Sequence, residues 1–413
     1  MKNWAGNLNY SAAAVERPSS MDELADVVAA ARSLKPLGSM HCFNDIADTG
    51  GTHVVLDNLG GVPHIDSASR RVRVPGHLTY GALAQHLQQH GWALHNMASL
   101  PHICLAGALQ TGTHGSGATN GSLSSAVTAI ELMRASGNTD RLEAADGGDF
   151  LGSVVGLGAL GIVTSVELAI EPSYEVSQRV FEQLPWNAAL EHFDEIASSA
   201  YSVSLFTDYK SFGQVWQKSR IEDDDGGAVI TFHGAAAATT ARHPLPEMSG
   251  DNCTAQFGVP GPWLERLPHF RPEFTPSKGD ELQTEYILPR EYAAAALETL
   301  RNFADRLAPL LYASEVRTIA SDGFWLSPAF NRDSVAFHFT FKPRQDDIEA
   351  LLPDLEAALS PFGARPHWGK LFAAGASDVA PLYPRFKDFR NLAHAHDPEG
   401  KFRNGFLDRM LGS

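Results

Sequence analysis

Cysteine is scarce in this sequence, and its scarcity argues against two classes of site. The 413 residues contain only three cysteines, Cys42, Cys104 and Cys253, which lie far apart along the chain. They form neither a disulfide framework nor the paired spacing of a structural zinc site. Reduced thiols in the cytoplasm are therefore expected, and the first residues contain no apolar segment of a secretory signal.

Long apolar runs and a surplus of basic residues are also lacking. No apolar run approaches the ~18 residues that a membrane-spanning helix needs. Acidic residues number 48 against 32 basic ones, which gives a formal net charge of −16. This charge repels nucleic acids and anionic lipids, so neither is an expected partner. The apolar share of 44% is ordinary for a globular protein, and the length favours two or three domains.

Two kinds of catalytic motif are missing as well. The sequence has no HExxH segment and no tight grouping of histidines with carboxylates, so we expect no metal site. A GxSxG turn, which carries the nucleophile of many serine hydrolases, is also absent.

The segment PLGSMHCFND, Pro36–Asp45, joins a glycine turn to a histidine. Ser20 and Glu23 form a capping box that predicts a helix before it. The strand-like run LKPLG leads into the turn, and the strand-like run HVVLDNL follows it. In Rossmann and Walker sites, a helix after the glycine loop binds the phosphate. No helix follows here, so the backbone N–H groups of the turn itself are expected to bind an anion.

Two strand-like segments carry polar residues on one face. In SVAFHFTF, His338 and Thr340 share a face opposite the valine and phenylalanines; in LYASEVRTIA, Glu315 and Arg317 share a face. Such strands line a polar cavity, or they belong to an antiparallel sheet with one face in water. The Glu–Arg pair is also typical of surface ion pairs, and Lys370 in RPHWGKLF is by itself compatible with a solvated lysine. The strands alone leave these alternatives open.

Taken together, the motifs carry a family resemblance that runs essentially from end to end of the chain. The chain resembles the alditol oxidases, in the vanillyl-alcohol-oxidase (VAO) group of flavoproteins. The resemblance rests on NWAGN, LGSMHCFND, NMASLPHI, TGTHGSGATNGSL, LGALGIVTS, YSVSLFTD, SEVRTIA, HFTF, ARPHWGKLF and DPEGKFRN. A longer stretch, Asn252–Ser277, is specific to the alditol oxidases within this group.

The resemblance implies an α+β flavoprotein fold of the VAO/PCMH type with two domains. Residues 1–172 and 381–413 would form an FAD-binding domain, and residues 173–380 a substrate-binding cap domain with a large antiparallel sheet. In this family the glycine turn binds the FAD pyrophosphate, and its histidine, here His41, is bonded covalently to the flavin. An alkylated imidazole should raise the flavin's potential and so favour hydride transfer from an unactivated alcohol.

Matching positions imply two sets of site residues. Besides His41, the implied cofactor-binding residues are Gly38, Ser39, Met40, Cys42, Phe43, Ser99, Cys104, Gly107, Thr111, Gly112, Thr113, His114, Ile162, Val163 and His367. The implied substrate-binding residues are Ser99, Glu315, Arg317, His338, Thr340 and Lys370. Glu315 and Arg317 are expected to pair. Arg317 and Lys370 would stabilise the developing alkoxide, and Lys370 or His338 would take the hydroxyl proton, so these three are the implied catalytic residues.

The sequence departs from the family pattern in small ways. Met40 and Cys42 replace smaller or more polar residues in the turn, and Cys104 stands where a serine is common. The covalent histidine itself is in place.

The resemblance implies FAD-dependent oxidation of the terminal CH2OH of alditols such as xylitol and sorbitol to the aldose, with O2 reduced to hydrogen peroxide. The expected partners are a polyol and O2, and the expected form is a cytoplasmic monomer. One alternative is an aldonolactone oxidase or dehydrogenase of the same group, which shares the His-Trp-x-Lys motif; Ser99 and Asn252–Ser277 favour the alditol reading. A non-catalytic FAD carrier or sensor is a third reading, and the complete set of polar pocket residues argues against it.

Overall fold

Helices and strands both form in the computed structural model, which describes residues 1–223, 230–245, 248–271 and 280–412. The strands in this part of the chain are β1 (Ala14–Glu16), β2 (Leu34–Pro36), β3 (Thr52–Val54), β4 (His64–Asp66), β5 (Arg71–Pro75), β6 (Trp92–Ala93), β7 (Val127–Met133), β8 (Thr139–Glu143), β9 (Ile162–Ala169), β10 (Glu171–Pro172), β11 (Glu175–Leu184), β12 (Ser202–Thr207), β13 (Phe212–Arg220), β14 (Thr231–Phe232), β15 (Ala235–Ala237), β16 (Gly261–Pro262), β17 (Leu282–Pro289), β18 (Leu311–Ile319), β19 (Ser334–Phe341) and β20 (Arg365–Pro366). The helices are α1 (Met21–Ala30), α2 (Tyr80–Gln89), α3 (Leu105–Gln110), α4 (Gly148–Val154), α5 (Trp186–Glu191), α6 (Phe193–Ala197), α7 (Ala293–Arg301), α8 (Ala304–Leu307), α9 (Gln345–Leu359), α10 (Ala376–Val379), α11 (Phe386–His396) and α12 (Gly405–Leu411).

Two sheets form in the N-terminal part of the chain. One is parallel, in the order β1-β3-β2, and the other is antiparallel, in the order β4-β5-β9-β7-β8. The predicted helix before the glycine turn is α1: Ser20 caps it by accepting the N–H of Glu23, and Leu24 and Val28 are fully buried. The glycine turn begins at the carboxyl end of β2.

A large antiparallel sheet occupies the next part of the chain. Within the described residues its strand order is β14-β15-β11-β13-β12-β18-β19-β17-β20, with β16 paired to β11. Val335, Phe337, Phe339 and Phe341 of β19 are fully buried in an apolar core that also contains residues of α5, α6, α7 and α9. This confirms the apolar face predicted for SVAFHFTF, and it directs the alternate residues of β19 to the opposite side of the sheet.

Two patterns in the sequence predict local structure that differs from the structure observed. The segment REYAAAALETLRNFADRLAPL, Arg290–Leu310, has the apolar spacing of one amphipathic helix. It divides into α7 and α8, because i→i+3 bonds such as the one from Phe303 N–H to Leu300 O replace the α-helical pattern between them. The glycines and small residues of Leu94–Ser122 predict a long loop-rich region, which contains the short helix α3, capped by Cys104 accepting the N–H of Gly107. The segment EDDDGGAV, Glu222–Val229, predicts an exposed loop and falls largely on residues 224–229, outside the described residues.

Apolar packing links the C-terminal helices to the N-terminal sheets. One cluster contains Val72 and Val166 of the five-stranded antiparallel sheet together with Phe389 of α11 and Leu407 of α12. Trp325, which lies within the predicted cap, packs in the same cluster. The division at residues 172 and 381 stays a prediction.

None of the helices in the described ranges is long and apolar enough to cross a lipid bilayer.

Lys218 of β13 is buried and organises the loop before His269. Its Nζ donates to three carbonyl oxygens, those of Arg266 at 2.7 Å, Leu267 at 2.6 Å and Pro268 at 3.0 Å. Burial lowers the pKa of Lys218 to about 7. Thr254 Oγ1 also donates to Pro268 O, at 2.9 Å. Lys218 therefore mainly supplies the donor for the carbonyl groups of Arg266 and Leu267, which the irregular loop does not pair for itself.

We predict that Lys218→Met lowers the free energy of unfolding by about 2–4 kcal/mol, because buried carbonyls lose their donor. Denaturant titration monitored by circular dichroism measures this. Lys342→Met is the matched control, because the exposed Lys342 donates to a single carbonyl, Pro309 O at 3.1 Å, and its loss should cost less than about 0.5 kcal/mol. Equal losses in the two variants would contradict the role of Lys218.

Candidate active site

A deep cavity runs between the glycine turn and the polar face of the large sheet. It holds about 1960 Å³ of atom-free space, part of which is open to solvent. Of the predicted site residues, these line it: Gly38, Ser39, Met40, His41, Cys42, Phe43, Ser99, Cys104, Gly107, Thr111, Thr113, His114, Val163, Glu315, Arg317, His338, Thr340, His367 and Lys370. One cavity thus brings together two groups of residues that are distant in sequence.

Two predicted cofactor residues do not line this cavity. Ile162 packs in a separate apolar cluster with Met133 and Phe402. Gly112 has φ +66°, and a side chain on it would meet Pro328 at 2.8 Å. Glycine is therefore needed at 112 for backbone conformation and packing.

The glycine turn presents unpaired backbone donors to the cavity. The N–H groups of Leu37 and Phe43 donate to Val54 O and Gly369 O. The five N–H groups between them have no acceptor among the described residues. The turn also passes very close to the second region, since a Cβ on Gly38 would lie 2.2 Å from Cys104 Sγ. Free N–H groups in a turn suit an anion, so this geometry supports the predicted anion site, which stays a prediction. The close approach to Cys104 requires glycine at 38.

His41 faces the cavity with a bare imidazole ring. Both ring nitrogens are buried and have no hydrogen-bond partner. Burial, with smaller contributions from His102 and Lys370, lowers the pKa of His41 to about 3, so the ring is neutral at pH 7. A neutral imidazole with a free nitrogen is nucleophilic, which fits covalent attachment to a ligand in the cavity.

The N-terminal segment holds the turn in place. Trp4 N–H donates to Met40 O at 2.9 Å, and the Trp4 ring lies 4.3 Å from the His41 ring. Asn3 Nδ2 donates to Cys42 O at 2.9 Å, and Asn7 Nδ2 donates to Phe43 O at 3.0 Å. These bonds use the carbonyl groups of the turn and leave its N–H groups available. The NWAGN motif thus has a structural explanation.

A chain of hydroxyl groups links α3 to the HWGK segment. Thr111 Oγ1 lies 3.1 Å from Thr113 Oγ1, which lies 3.4 Å from His367 Nε2. His367 Nδ1 accepts the N–H of Gly369 at 3.1 Å, so its proton is on Nε2. Burial, together with the nearby Lys370, holds the pKa of His367 well below its usual range. His367 is therefore a neutral donor in the cavity wall.

The register of three strands aligns the polar residues in one row. His338 of β19 pairs with Glu315 of β18 on one side and with Glu285 of β17 on the other. Thr340 lies two residues further along β19, opposite Gln283. All five side chains line the cavity, so the alternative of a solvent-facing sheet does not apply here.

Glu285 is the buried centre of the charged site. Its carboxylate accepts from Arg317 Nη2 at 2.8 Å and from Lys370 Nζ at 2.7 Å, and His114 Nε2 lies 3.3 Å away. Burial by itself raises the pKa of this carboxyl, but Lys370, His114 and Arg317 hold it well below its usual range. Glu285 therefore stays ionised and fixes both cations.

Glu315 has a different main partner from the one predicted. Arg317 Nε lies 3.8 Å from Glu315 Oε1, which is an ion pair without a hydrogen bond. His269 Nε2 lies 2.8 Å from the same oxygen. Burial raises the pKa of Glu315, but Arg317 and His269 outweigh it and hold that pKa below its usual range. The closer partner of Arg317 is Glu285.

Lys370 and His338 form a second hydrogen-bonded pair. Lys370 Nζ lies 2.6 Å from His338 Nδ1, and His338 Nε2 lies 3.1 Å from Thr340 Oγ1. Burial, together with the charge of Lys370, lowers the pKa of His338 to about 4. A neutral His338 thus accepts from Lys370 at Nδ1 and donates from Nε2. Burial also lowers the pKa of Lys370, and Glu285 opposes that effect.

Sequence reasoning missed several residues of this site. Glu285 and Gln283 are two residues apart in ELQTEYILP, the same spacing that identified Glu315 and Arg317. The same reasoning could therefore have identified them. His269 and Lys35 lie in irregular or short segments and become visible only through their contacts. Lys35 lines the cavity and donates to Gly158 O at 3.1 Å, and burial lowers its pKa to about 7.

Known proteins match this chain along its full length. A family model described as "FAD binding domain" matches residues 12–143, and one described as "D-arabinono-1,4-lactone oxidase" matches residues 279–410. The chain is 49% identical to the alditol oxidase of Streptomyces sp. (strain IKD472) over 417 aligned residues, covering 99% of this chain and 98% of that protein. The chain belongs to the alditol oxidase family. It is 28% identical to the L-gulono-1,4-lactone dehydrogenase of Mycobacterium tuberculosis, over 99% of this chain and 98% of that protein.

Solved structures confirm the predicted fold class. Cholesterol oxidase from Brevibacterium sterolicum superposes with a TM-score of 0.78 at 14% identity, covering 99% of this chain and 96% of the other. This likeness identifies the fold alone. As predicted, the chain is an α+β flavoprotein of the VAO/PCMH type with a large antiparallel sheet.

The cavity fits the FAD that the matching domain binds. The five free N–H groups in the turn suit a pyrophosphate. The two nitrogens of His41 are buried without a hydrogen-bond partner, which is unusual in a folded protein unless a ligand contacts them. When FAD is bound, the turn Gly38–Phe43 and the α3 region would hold it.

We predict that Glu285→Gln lowers the free energy of unfolding by about 3–5 kcal/mol at pH 7, because it leaves two buried cations without their shared counter-charge. The folded pKa of Glu285 lies below its ordinary value of 4.5. Its stabilisation is therefore complete above about pH 4.5 and is lost as the pH falls through the folded pKa. The difference between wild type and variant should shrink accordingly in denaturant titrations at decreasing pH.

Glu182→Gln provides the control. Glu182 also binds an arginine with both oxygens, Arg242 at 2.7 Å, but its side chain is 29% exposed. That substitution should cost less than about 1 kcal/mol. A loss for Glu285→Gln no larger than this would refute the central role of Glu285.

Proposed function

We propose that this protein oxidises the terminal CH2OH of alditols such as xylitol and sorbitol to the aldose, with FAD as cofactor and O2 reduced to hydrogen peroxide. The observation that carries the proposal is the row of buried polar side chains across β18, β19 and β17. Glu315, His338 and Glu285 lie in register on one cavity wall. The 49% identity to an alditol oxidase supports the same substrate class.

A polyol presents a row of hydroxyl groups, and this wall offers matching partners. Glu315 accepts hydrogen bonds, Arg317 donates them, and Thr340 does both. Ser99 faces the same cavity. A site that binds several hydroxyl groups discriminates strongly against molecules that lack one, because its buried polar groups are then left unpaired.

The residues around Lys370 suit the chemistry of an alcohol. When bound, FAD would accept the hydride, and its two electrons would then reduce O2 to hydrogen peroxide. Arg317 and Lys370 stabilise negative charge that develops on the substrate oxygen as the C–H bond breaks. The hydroxyl proton passes to the Lys370–His338 pair, whose 2.6 Å contact lets the two groups share it.

We further propose that His41 is bonded to the flavin. Its nucleophilic, unpartnered imidazole and its place in the anion-binding turn support the bond. Residues 1–172 and 381–413 would hold the cofactor, and residues 173–380 the substrate wall. The free thiols of Cys42, Cys104 and Cys253 support a reducing, cytoplasmic location, and we propose a monomer.

The lactone alternative also has a specific observation in its favour. The D-arabinono-1,4-lactone oxidase model matches residues 279–410, the part that carries Glu285, Glu315 and Lys370. The higher identity to the alditol oxidase makes this the second candidate.

The test is an oxygen-consumption and peroxide assay of the purified yellow protein with alditols and aldonolactones. Alditol oxidation should exceed lactone oxidation at equal concentration. Peroxide from lactones alone would favour the second candidate. If no substrate bleaches the flavin under argon, the protein is instead a carrier or sensor, and the oxidase proposal is wrong.

We predict that His41→Ala abolishes acid-stable flavin. Wild-type protein precipitated with acid should retain its flavin, visible as a fluorescent band after denaturing electrophoresis, and the variant should release it. His77→Ala is the control, because His77 lines the same cavity and also has a buried, unpartnered ring nitrogen. Release of all flavin by the wild type, or by the His77 variant to the same extent, would contradict the assignment.

A further inference from the structure

A group of metal-ligating side chains lies on the surface, outside the cavity. His192 Nδ1 lies 3.5 Å from Glu195 Oε2, and His233 Nε2 lies 3.6 Å from Glu195 Oε1. Ligand atoms of all three residues lie within 4.8 Å of one another. The side chains of His192 and Glu195 are 47% and 68% exposed, so the group is accessible from solvent.

The spacing fits a shared metal ion better than it fits hydrogen bonds. Both contacts to Glu195 exceed the 2.7–3.2 Å range of an N–H···O bond. A tetrahedral zinc ion with ligand bonds of ~2.0–2.2 Å has neighbouring ligand atoms about 3.3–3.5 Å apart. The contacts of 3.5 and 3.6 Å have this spacing, but they end on different oxygens of Glu195. One ligand atom from each residue lies within 4.8 Å of the others, so the exposed Glu195 carboxylate would turn to present a single oxygen to the ion.

The first two ligands are held by a junction of helices. His192 lies between α5 and α6, where its N–H donates to Ala188 O and its carbonyl accepts from Ile196 N–H. Glu195 follows one turn later, so both side chains lie on the same side of α6. Phe193 and Ile196 are buried on the other side. Packing therefore fixes the backbone that presents this pair.

The third ligand comes from a tight hairpin. Phe232 pairs with Ala235, and the two residues between them, His233 and Gly234, have φ of 47° and 87°. Positive φ at both central residues is the signature of a type I′ turn. A side chain on Gly234 would meet Pro185 at 3.0 Å, so the hairpin tip lies against the start of α5. The turn thus directs His233 toward the helix junction.

We propose that His192, Glu195 and His233 bind a divalent transition-metal ion of the zinc class at the surface of the large sheet. Two imidazoles and a carboxylate are common zinc ligands, and three protein ligands leave a fourth position for water. Because the ligands come from separate elements, the ion would fasten the β14–β15 hairpin to α6. Binding to the native state alone would raise its stability. This site is independent of the cavity and of the proposed oxidase activity.

The test uses tag-free holoprotein freed of metal with a chelator. Calorimetric titration with Zn²⁺ should give one bound equivalent per chain, and Co²⁺ should give the intense visible bands of a four-coordinate site. His192→Gln and His233→Asn should each weaken binding by about tenfold or more, since each removes one ligand. Asparagine tolerates the positive φ at 233, so that turn is preserved. Zn²⁺ should raise the thermal midpoint of the wild type more than that of either variant.

A second histidine pair provides the control. His86 of α2 and His90, the residue that follows the last residue of α2, have ring centroids 4.5 Å apart and form another candidate surface chelate. The double variant His86→Gln, His90→Gln should bind Zn²⁺ as the wild type does. Absence of stoichiometric binding, or binding that this double variant loses and the His192 and His233 variants keep, overturns the proposal.

Discussion

The candidate active site depends on one buried carboxylate held between two cations. Glu285 contacts Arg317 at 2.8 Å and Lys370 at 2.7 Å, and the three side chains are at most 12% exposed. Glu315 supplies the second negative charge, so two anions balance two cations where bulk water does not screen them. Without Glu285, the cations would repel each other, and only the weaker effect of Glu315 would oppose the lowering of the pKa of Lys370 by burial. The oxidation chemistry proposed for Arg317 and Lys370 therefore depends on a carboxylate that need not touch the substrate.

The position of that carboxylate follows from strand register. Glu285, His338 and Glu315 lie side by side on three neighbouring strands only in the observed register. A shift of the register by one residue would move the side chains of the shifted strand to the opposite face of the sheet and place its charged groups among the phenylalanines. Phe337 and Phe339, fully buried on the opposite face, make such a slip very costly. The apolar core thus specifies the geometry of the polar site on the other side of the same sheet.

Much of this arrangement could be predicted from the sequence, and the omissions have physical causes. The alternation in SVAFHFTF predicts which face of β19 is apolar, and all but two of the site residues implied by the family resemblance, Gly112 and Ile162, line the cavity. Periodicity does not reveal which strands are neighbours, so the pairing of Arg317 with Glu285 was not foreseen. His269 reaches Glu315 through an irregular loop held by Lys218, for which no sequence pattern exists. The cluster of His192 and His233 was missed for a similar reason, since its ligands lie in separate elements.

The polar groups of the glycine turn lack partners, whereas the charged side chains on β17, β18 and β19 pair with one another. Five N–H groups and both nitrogens of His41 are unpaired within the described chain. The two imidazole nitrogens are buried, and a buried polar group without a partner costs about 1–3 kcal/mol. The N-terminal segment keeps the turn in this costly conformation by binding its carbonyl groups through Asn3, Trp4 and Asn7. A bound pyrophosphate would satisfy the N–H groups, and a bond at His41 would remove the need for a partner there. The turn is therefore preorganised for a cofactor at the expense of the stability of the chain without one.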